Sequence, residues 1–400
     1  MARTKSVQMM VDHLQRLTLE ENSNPSAEVH FELLQTLDQL RLAIETPEET
    51  ILRLIYQPPQ NAALRTVMDL GIFQILTDKA HRMQGVSALQ ITEYTAADEA
   101  LIVRLMRLMA SLGLCTTVAP GVFRANEKTA ALTRSIAKDG IPCIYDLTVP
   151  TLSRLPEYLQ SHLYRNPEDY AHSPMRWAVG QSQFEWLATH RDQQARFNSY
   201  MASRRQGRPT WFDTYPVSRL LNAKQPLDKS VLIVDIGGNQ GYDLAQFRKA
   251  YPHLRGRLVL QDLPDVVKQT PCSEPSIEVV SYSFLDKQPV RGARAYYFRA
   301  IFHDWPDHIC QQILRNTMAA MIPGESRILI VDCVLPDIDT PLLQASLDIQ
   351  MMSIGAGIER SEGQWRRLLQ TVGLEITGIW NHSPGMESVI EAMHIGSQSD

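Results

Sequence analysis

The chain has 400 residues, of which 44% are hydrophobic and 21% are charged, and its formal net charge is −5. This composition is typical of globular proteins and excludes a disordered chain, a collagen-like chain and a small disulfide-rich scaffold. The acidic balance provides no overall basic field for attracting nucleic acid. At ~100–200 residues per domain, the length predicts two or three domains.

Cysteine spacing and the N-terminal residues indicate the compartment. The five cysteines are scattered and form no C-x-x-C pair, so neither a zinc site nor a disulfide framework is predicted. The stretch after Met1 is polar and lacks the apolar core of a secretory signal. No window approaches the ~18 uninterrupted apolar residues of a membrane span. We therefore expect a cytoplasmic protein that binds neither membranes nor nucleic acid.

Residues 1 to 225 show the apolar spacing of helices almost throughout. The predicted elements are helices over 27–45, 61–76, 87–95 and 97–112, a helix C-cap at Gly113, and a short β-like stretch that ends at Phe123. Leu101, Leu105, Leu108 and Leu112 form one apolar stripe along their helix. Two helices followed by a small β wing predict a winged-helix module.

The charge of this module argues against DNA binding. Residues 1–130 contain 12 Lys and Arg against 15 Asp and Glu, and a net-acidic surface is a poor partner for phosphates. We therefore predict that residues 1–130 form a helical dimerisation or lid domain. Residues 131–225 are predicted to be a helical linker and a wall of the substrate pocket.

From residue 226 onward, short apolar runs alternate with amphipathic helical segments. The runs are Val231–Val234, Leu258–Leu260, Tyr296–Phe298 and Ile328–Val331. Strands of this kind, alternating with helices, predict a parallel sheet that is covered on both faces. The runs at 374–380 and 388–393, separated by residues 382–385, predict an antiparallel pair at the edge of the sheet. Residues 226–400 are therefore expected to form an α/β domain.

A glycine-rich turn follows the first strand of this domain. Asp235 ends the strand and precedes Gly237, Gly238 and Gly241, a D-x-G-x-x-x-G pattern that differs from the G-x-G-x-x-G dinucleotide fingerprint. Asp262 ends the next strand about 20 residues later, where an acid accepts hydrogen bonds from ribose hydroxyls. Together these positions favour an adenosine-type cofactor. The alternative is a purely structural turn with a solvated Asp262.

A second motif identifies a family. The segment Phe298-Arg299-Ala300-Ile301-Phe302-His303-Asp304-Trp305-Pro306-Asp307, together with the glycine turn, resembles the class I S-adenosylmethionine-dependent O-methyltransferases of the caffeic acid O-methyltransferase type. The resemblance is greatest to their fungal natural-product branch and covers most of the chain. Asp262-Leu263-Pro264 is similar to the ribose-binding segment of the family, and residues 357–362 are similar to its acidic segment.

This resemblance implies the architecture and the assembly. We expect an α/β fold with a Rossmann-like methyltransferase domain at 226–400, whose mostly parallel seven-stranded sheet ends in an antiparallel C-terminal hairpin. A winged-helix-like dimerisation domain is expected to precede it, and the chain is therefore expected to form a homodimer.

The resemblance also implies the catalytic residues. His303 would be the general base that takes a proton from a substrate hydroxyl, while Asp332 and Glu359 would orient it. Elementary chemistry agrees, because a neutral phenol is a poor nucleophile and a histidine can accept its proton during attack. The reaction implied uses S-adenosylmethionine and no metal, and the sequence shows no cluster with metal-ligand spacing.

The cofactor-binding residues are implied position by position. The residues expected near the amino-acid end of S-adenosylmethionine are Asp235, Gly237, Gly238, Gly241 and Arg299, of which Asp235 would approach the ammonium or the ribose and Arg299 the carboxylate. Asp262 would hold the ribose hydroxyls. The residues expected at the adenine are Leu263, Ser283 and Phe284.

Three positions depart from the family pattern. Asn239 replaces the middle glycine of the turn, which is tolerable because Asn also adopts left-handed backbone geometry. Ser283 replaces the Asp that usually contacts the adenine amine, and Asp332 is one methylene shorter than the Glu of plant members. These changes predict altered recognition of adenine and a shorter reach from Asp332 to His303.

The predicted substrate contacts are mostly aromatic and methionine side chains. We expect Trp177, Met201, Met351 and Met352, together with Asp304, to contact the substrate, because thioethers and aromatic rings suit a flat aromatic molecule. For each apolar side chain the alternative is a position in the core.

Two functions from different classes follow from these residues. The first is O-methylation of a hydroxyl on an aromatic, polyketide-type or alkaloid-type secondary metabolite. The second keeps the fold and cofactor but uses the sulfonium as a fixed charge in a pericyclic, dehydration or rearrangement step. The presence of both His303 and Glu359 favours methyl transfer. A non-catalytic regulator is disfavoured by the acidic N-terminal half.

Overall fold

The computed structural model describes residues 2–81, 84–205, 207–221, 230–269, 272, 274–381 and 387–394. The chain divides into two compact units. The first comprises Met1–Asn24, Glu32–Ser153 and Gln183–Arg208, and the second comprises Pro25–Phe31, Arg154–Ser182 and Pro209–Asp400. The predicted boundary between residues 225 and 226 and the predicted turn at 382–385 lie outside the described residues.

Helices account for most of the first unit and for the connections of the second. They are α1 (Ala2–Ser23), α2 (Ala27–Ile44), α3 (Pro47–Ile55), α4 (Gln57–Asp69), α5 (Ile72–Thr77), α6 (Ala88–Thr95), α7 (Glu99–Ser111), α8 (Glu127–Leu132), α9 (Ser135–Leu152), α10 (Leu155–Ser161), α11 (Pro174–Val179), α12 (Gln183–Thr189), α13 (Arg191–Ser203), α14 (Trp211–Thr214), α15 (Tyr242–Ala250), α16 (Pro264–Gln269), α17 (Asp307–Met318), α18 (Leu342–Gly355) and α19 (Glu362–Gln370). None of these helices is both long and apolar enough to cross a membrane.

The strands form one small and one large sheet. They are β1 (Val86–Ser87), β2 (Thr116–Ala119), β3 (Val122–Arg124), β4 (Val231–Ile236), β5 (Arg257–Asp262), β6 (Ile277–Ser281), β7 (Ala295–Arg299), β8 (Arg327–Leu335), β9 (Arg360–Ser361), β10 (Glu375–Asn381) and β11 (Glu387–Met393). The small sheet has the order β1-β3-β2, and the large sheet has the order β10-β11-β8-β7-β4-β5-β6, with β9 paired to β8.

The predicted winged-helix arrangement is confirmed within the first unit. Helices α6 and α7 are followed by the antiparallel strands β2 and β3, and β1 adds a third strand to this wing. Gly113 follows α7 with φ of +71°, the left-handed geometry expected of a C-cap. The predicted helix at 61–76 is interrupted at Gly71, whose φ of +65° ends α4 and starts α5.

The apolar stripe on α7 lies beside the buried face of the helix. Its fully buried side chains are Ile102, Met106 and Met109, whereas Leu101 is 42% exposed. The rest of the leucine stripe is only partly buried at the margin of this core. Both sets of residues recur at helical spacing and differ by one position, so periodicity alone does not distinguish them.

The large sheet confirms the predicted α/β fold. Strands β4 to β8 run parallel to one another, whereas β11 pairs antiparallel with both β8 and β10. Val234 and Phe298 pack in the hydrophobic core on one face, and Ile233 and Tyr297 pack in the core on the other. The edge strand β6 escaped prediction because only Ile277 in it is buried, so it lacks a continuous apolar run.

Parallel strands bring their carboxyl ends to a common edge of the sheet, which is where ligands bind in open α/β folds. At this edge β4 ends near Asp235, β5 at Asp262 and β7 at Arg299, and β8 carries Asp332. The predicted cofactor and catalytic residues of the second unit therefore gather at one edge.

Candidate active site

Two glycines of the turn between β4 and α15, Gly237 and Gly238, leave no room for a Cβ. Gly237 has φ of +76°, and a Cβ there would lie 2.6 Å from Ile301 Cδ1. A Cβ on Gly238 would overlap the carboxylate of Asp235, which is itself buried. Gly241, with φ of +73°, directly precedes the first residue of α15. Glycine is therefore required at Gly237 by its backbone geometry and at Gly238 by the close approach of Asp235.

Asp262 ties the turn to the end of β5. Its Oδ2 accepts the Asn239 N–H at 2.8 Å, and its Oδ1 accepts the Leu263 N–H at 2.7 Å. Asn239 has φ of +53°, the geometry expected of a residue that replaces a glycine. Burial raises the pKa of Asp262, and the two N–H donors oppose that shift. The carboxylate is thereby fixed at the end of β5, and its contact with ribose hydroxyls stays a prediction.

Arg299 lies between two carboxylates. Its Nη1 is 2.9 Å from Asp243 Oδ1 and its Nη2 is 2.6 Å from Glu387 Oε2, and its side chain is only 10% exposed. The Tyr297 hydroxyl also donates to Asp243, at 3.1 Å. Sequence reasoning missed Asp243 and Glu387, because they are remote from Arg299 in sequence and only the fold brings them together. The contact of Arg299 with the cofactor carboxylate stays a prediction.

The residues expected at the adenine lie in the loop after β6 and at the end of β5. The Ser283 Oγ accepts the Leu285 N–H at 3.3 Å, and Leu263 is half exposed. The Phe284 ring meets the Trp305 ring edge to face, with centroids 6.0 Å apart. Trp305 also contacts Tyr170, at 5.2 Å between centroids. An aromatic row thus runs from the loop after β6 to the His303 turn, and Tyr170 was not among the predicted residues.

His303 lies in the 3₁₀ turn Phe302–Asp304 that follows β7. Its Nδ1 is 2.8 Å from Glu359 Oε1, and the Glu359 side chain is fully buried. The Glu359 N–H donates to Asp348 Oδ1 at 2.9 Å, which fixes the backbone on which the carboxylate stands. His303 Nε2 faces Asp304, whose Oδ1 is 3.8 Å away. The structure therefore brings the predicted base into direct contact with one of its two predicted partners.

Three carboxylates govern the charge of the imidazole. Burial lowers the pKa of His303, but Asp304, Asp332 and Glu359 outweigh burial and raise that pKa to about 10. Burial raises the pKa of Asp332 to about 7 and also raises the pKa of Asp304, while His303 opposes both shifts. The site therefore stabilises an imidazolium, which is the product of proton transfer to His303.

Two buried carboxylate oxygens at this site lack a hydrogen-bond partner among the described residues, Asp332 Oδ2 and Glu359 Oε2. Asp332 is 2% exposed and lies in β8 opposite Ser388 of β11. An unsatisfied buried carboxylate oxygen is unfavourable unless a proton or a ligand donor reaches it. Within the described ranges, no three His, Cys, Asp or Glu side chains are arranged to hold a metal ion.

The predicted substrate residues are distributed over both units. Met351 and Met352 are partly buried on α18, which packs against the His303 turn and against α11. Trp177 lies on α11, 38% exposed, with the Arg154 guanidinium 4.5 Å from the centre of its ring. Met201 lies on α13 in the first unit. The substrate contacts of all these residues stay predictions.

The chain is similar to known methyltransferases over most of its length. The model of the O-methyltransferase domain family matches residues 158–375. The methyltransferase cfoC from Aspergillus candidus is 32% identical over 381 residues, which cover 94% of each chain.

Two solved structures share this fold. LepI, a pericyclic reaction enzyme solved with S-adenosylmethionine, has a TM-score of 0.84 and 28% identity, covering 98% of this chain and 99% of its own. OxaC in complex with sinefungin and meleagrin has a TM-score of 0.81 and 29% identity, covering 97% of this chain and 98% of its own. The family predicted from the glycine turn and the His303 segment is thus confirmed, and the chain belongs to the O-methyltransferase domain family.

Proposed function

We propose that this enzyme transfers a methyl group from S-adenosylmethionine to a hydroxyl of an aromatic, polyketide-type or alkaloid-type secondary metabolite. The observation that carries the proposal is the buried His303–Glu359 pair, which lies on the same sheet edge as the glycine turn and Asp262. A base beside a nucleoside-type cofactor site is the arrangement that activation of a hydroxyl for methylation requires.

The residues present fit S-adenosylmethionine. The turn at Gly237 and Gly238 has the close-packed backbone that a Cβ would obstruct, and Asp262 presents a fixed carboxylate for ribose hydroxyls. LepI and OxaC support the assignment, since the first was solved with S-adenosylmethionine and the second with sinefungin. When bound, S-adenosylmethionine supplies an electrophilic methyl group. Asp235, Gly241, Leu263, Ser283, Phe284 and Arg299 complete the proposed site.

His303 is proposed to accept the proton of the substrate hydroxyl at Nε2. In the neutral ring, a proton on Nδ1 donates to Glu359 Oε1, which leaves Nε2 as the basic nitrogen. As the hydroxyl proton transfers, the ring becomes an imidazolium that Glu359, Asp332 and Asp304 stabilise. Glu359 thus holds the tautomer, and Asp332 contributes its charge from β8.

The proposed base must be neutral before it acts, and its charge depends on Asp304. We expect Asp304→Asn to remove one source of the raised His303 pKa. Loss of a negative charge destabilises the imidazolium, so the acidic limb of the kcat/KM profile should move to lower pH by about one unit. The pH dependence of methyl transfer measures this shift, and Asp286→Asn on an exposed loop should leave the limb unchanged. An unshifted limb in Asp304→Asn would contradict the assigned electrostatics.

Asp304, Met351, Met352, Trp177 and Met201 are proposed to contact the substrate. Asp304 stands next to the base, and the two methionines lie on the helix that packs against the base turn. Methionine side chains adapt to flat apolar ligands. OxaC, whose structure contains meleagrin, supports a small-molecule substrate.

A second candidate function is a pericyclic, dehydration or rearrangement reaction that retains the cofactor. The similarity to LepI, a pericyclic reaction enzyme, is the observation that favours it. Incubation with S-adenosylmethionine and hydroxylated aromatic metabolites separates the two candidates. Methyl transfer releases S-adenosylhomocysteine and adds one CH₂ to the product mass. An isobaric or dehydrated product with the cofactor unconsumed would instead support the second candidate.

A homodimer is proposed to form through the N-terminal helices. Helix α3 has a capping box at Thr46 but buries none of its residues. The apolar side chains of α3 that are more than half exposed are Ile51, Leu52, Leu54 and Ile55. An amphipathic helix with an uncovered apolar face marks an interaction surface.

We expect the double substitution Ile51→Glu and Ile55→Glu to convert the dimer to a monomer, because it places charges on adjacent turns of the uncovered face. Analytical ultracentrifugation measures the mass of each form against the 45.3 kDa chain. Ile338→Glu, at an exposed apolar residue of the second unit, serves as the control and should remain dimeric. A monomeric wild-type protein would refute the proposal.

The division into three domains and the cytoplasmic location are proposals that rest on the sequence. We propose a dimerisation domain at 1–130, a helical linker and pocket wall at 131–225 and the catalytic domain at 226–400. All five cysteines are free thiols, which suits a reducing compartment and supports a cytoplasmic location.

A further inference from the structure

The backbone turn that carries His303 is held by residues 357–360, which follow α18. The Ile358 N–H donates to the His303 carbonyl oxygen at 2.9 Å. Gly357 packs directly against the same oxygen, so a Cβ at that position would overlap it. Both contacts are to the main chain of the proposed base itself. Any movement of this segment is therefore transmitted to the turn on which the imidazole stands.

Arg360 binds the two carbonyls that flank the base. Its Nη1 donates to the Phe302 oxygen at 2.9 Å, and its Nη2 donates to the Trp305 oxygen at 2.8 Å. Its Nη2 also forms an ion pair with Asp307 at 2.8 Å, and the residue as a whole is 1% exposed. With the Ile358 bond, three carbonyls of the segment 302–305 are satisfied by one short stretch of chain.

The same stretch holds the partners of the base. Glu359, between Ile358 and Arg360, contacts His303 through its side chain, and its own N–H is fixed by Asp348. Arg360 also pairs in parallel with Val334, two residues beyond Asp332 on β8. The base, its direct partner and the strand that carries the second carboxylate thus meet at Arg360.

A buried guanidinium is unfavourable unless its donors are satisfied in good geometry. Arg360 meets this condition with main-chain carbonyls, which its planar fork can reach at two points simultaneously and a lysine ammonium cannot. The Trp365 ring, 5.3 Å from the guanidinium carbon, covers the group further. The hydrogen bonds of Arg360 fix the positions of the Phe302 and Trp305 carbonyls. An apolar side chain at the same place would only fill space.

We infer that Arg360 is a positioning residue for the proposed methyl transfer, holding the 302–305 turn so that His303 Nδ1 stays against Glu359. The inference rests on the proposed function of His303 as base. It assigns no contact between Arg360 and the substrate or cofactor. Its consequence is that the state of the His303 ring depends on a side chain that does not touch the reacting atoms.

The test compares Arg360→Lys with Arg366→Lys in the full-length protein. Arg366 lies on α19, exposed and paired with Glu362, and therefore provides a matched control. Nuclear magnetic resonance of histidine-labelled protein reports the titration and tautomer of His303, with the signal assigned by its absence in His303→Gln. We expect Arg360→Lys to lower the His303 pKa by about one unit, since the bond to Glu359 loosens. Methyl transfer should lose about 10–100-fold in kcat, with little change in the KM for S-adenosylmethionine.

The outcomes are distinct. An unchanged His303 titration and an unchanged kcat in a folded Arg360→Lys protein would overturn the inference. If that variant does not fold, Asp307→Asn replaces it, because Asp307 is mostly exposed and its loss frees one side of the guanidinium. We then expect a smaller decrease in the His303 pKa. An unchanged His303 pKa in Asp307→Asn would overturn the inference. The titration requires no turnover, so a wild-type protein that methylates nothing would refute the proposed function while still testing Arg360.

Discussion

Replacing His303 with alanine should abolish methyl transfer and leave the binding of S-adenosylmethionine largely intact. A positioned general base contributes about 10²–10⁴-fold to the rate, and kcat should fall by that factor. The side chain lies in the turn after β7, where it contacts Glu359 rather than the glycine turn. Cofactor affinity, measured by calorimetry with S-adenosylhomocysteine, should therefore change little.

His308 provides the control for this substitution. It lies on the exposed side of α17, five residues beyond the base, and His308→Ala should retain wild-type turnover. If His303→Ala still turns over at the wild-type rate, the assignment of the base is wrong. If it loses cofactor affinity and turnover together, His303 contributes to binding rather than to proton transfer.

Replacing Gly238 with alanine should prevent productive binding of the cofactor. The added Cβ would overlap the carboxylate of Asp235, and this carboxylate is buried. Overpacking of this kind costs about 1–3 kcal/mol of stability, and a shift of the turn relieves the strain. A shifted turn loses contacts with the cofactor, and a loss of about 1.4–2.8 kcal/mol in binding free energy raises the Kd for S-adenosylhomocysteine by about 10–100-fold. Calorimetry measures the Kd, and thermal unfolding shows that the variant is folded.

Gly363 is the matched glycine for this experiment. The nearest atom to a Cβ at Gly363 would be Asp337 Oδ1, at 3.4 Å, which is an ordinary contact distance. Gly363 lies near the start of α19. Gly363→Ala should bind the cofactor as the wild type does. Wild-type affinity in a folded Gly238→Ala protein would contradict the placement of the cofactor on this turn.

The sheet and the turn could be predicted because their signals are local. A buried parallel strand shows a continuous apolar run, as at Val231–Val234, and the glycines that follow it mark positions at which a Cβ would not fit. The His303 segment is likewise contiguous, so its resemblance to a family is visible in one stretch. The prediction of one helix over 61–76 was less accurate. The sequence shows a glycine inside an apolar pattern, but it does not show that φ is positive at that glycine.

The remaining features depend on contacts between distant residues. The carboxylates around Arg299 come from α15 and β11, and no local pattern connects them. Arg360 resembles a surface charge in the sequence, yet it is buried by a turn more than 50 residues away. On α7, two residue sets fitted the same helical period, and packing alone selected the methionine face.

Methyl transfer from S-adenosylmethionine to a substrate hydroxyl can be followed with an isotopic label. The most direct measurement uses S-adenosylmethionine with a trideuterated methyl group and a hydroxylated aromatic metabolite, followed by mass spectrometry of product and cofactor. We expect a product that carries the CD₃ group on oxygen, with one S-adenosylhomocysteine released per product. A product without deuterium, formed while the cofactor remains unconsumed, would contradict this expectation.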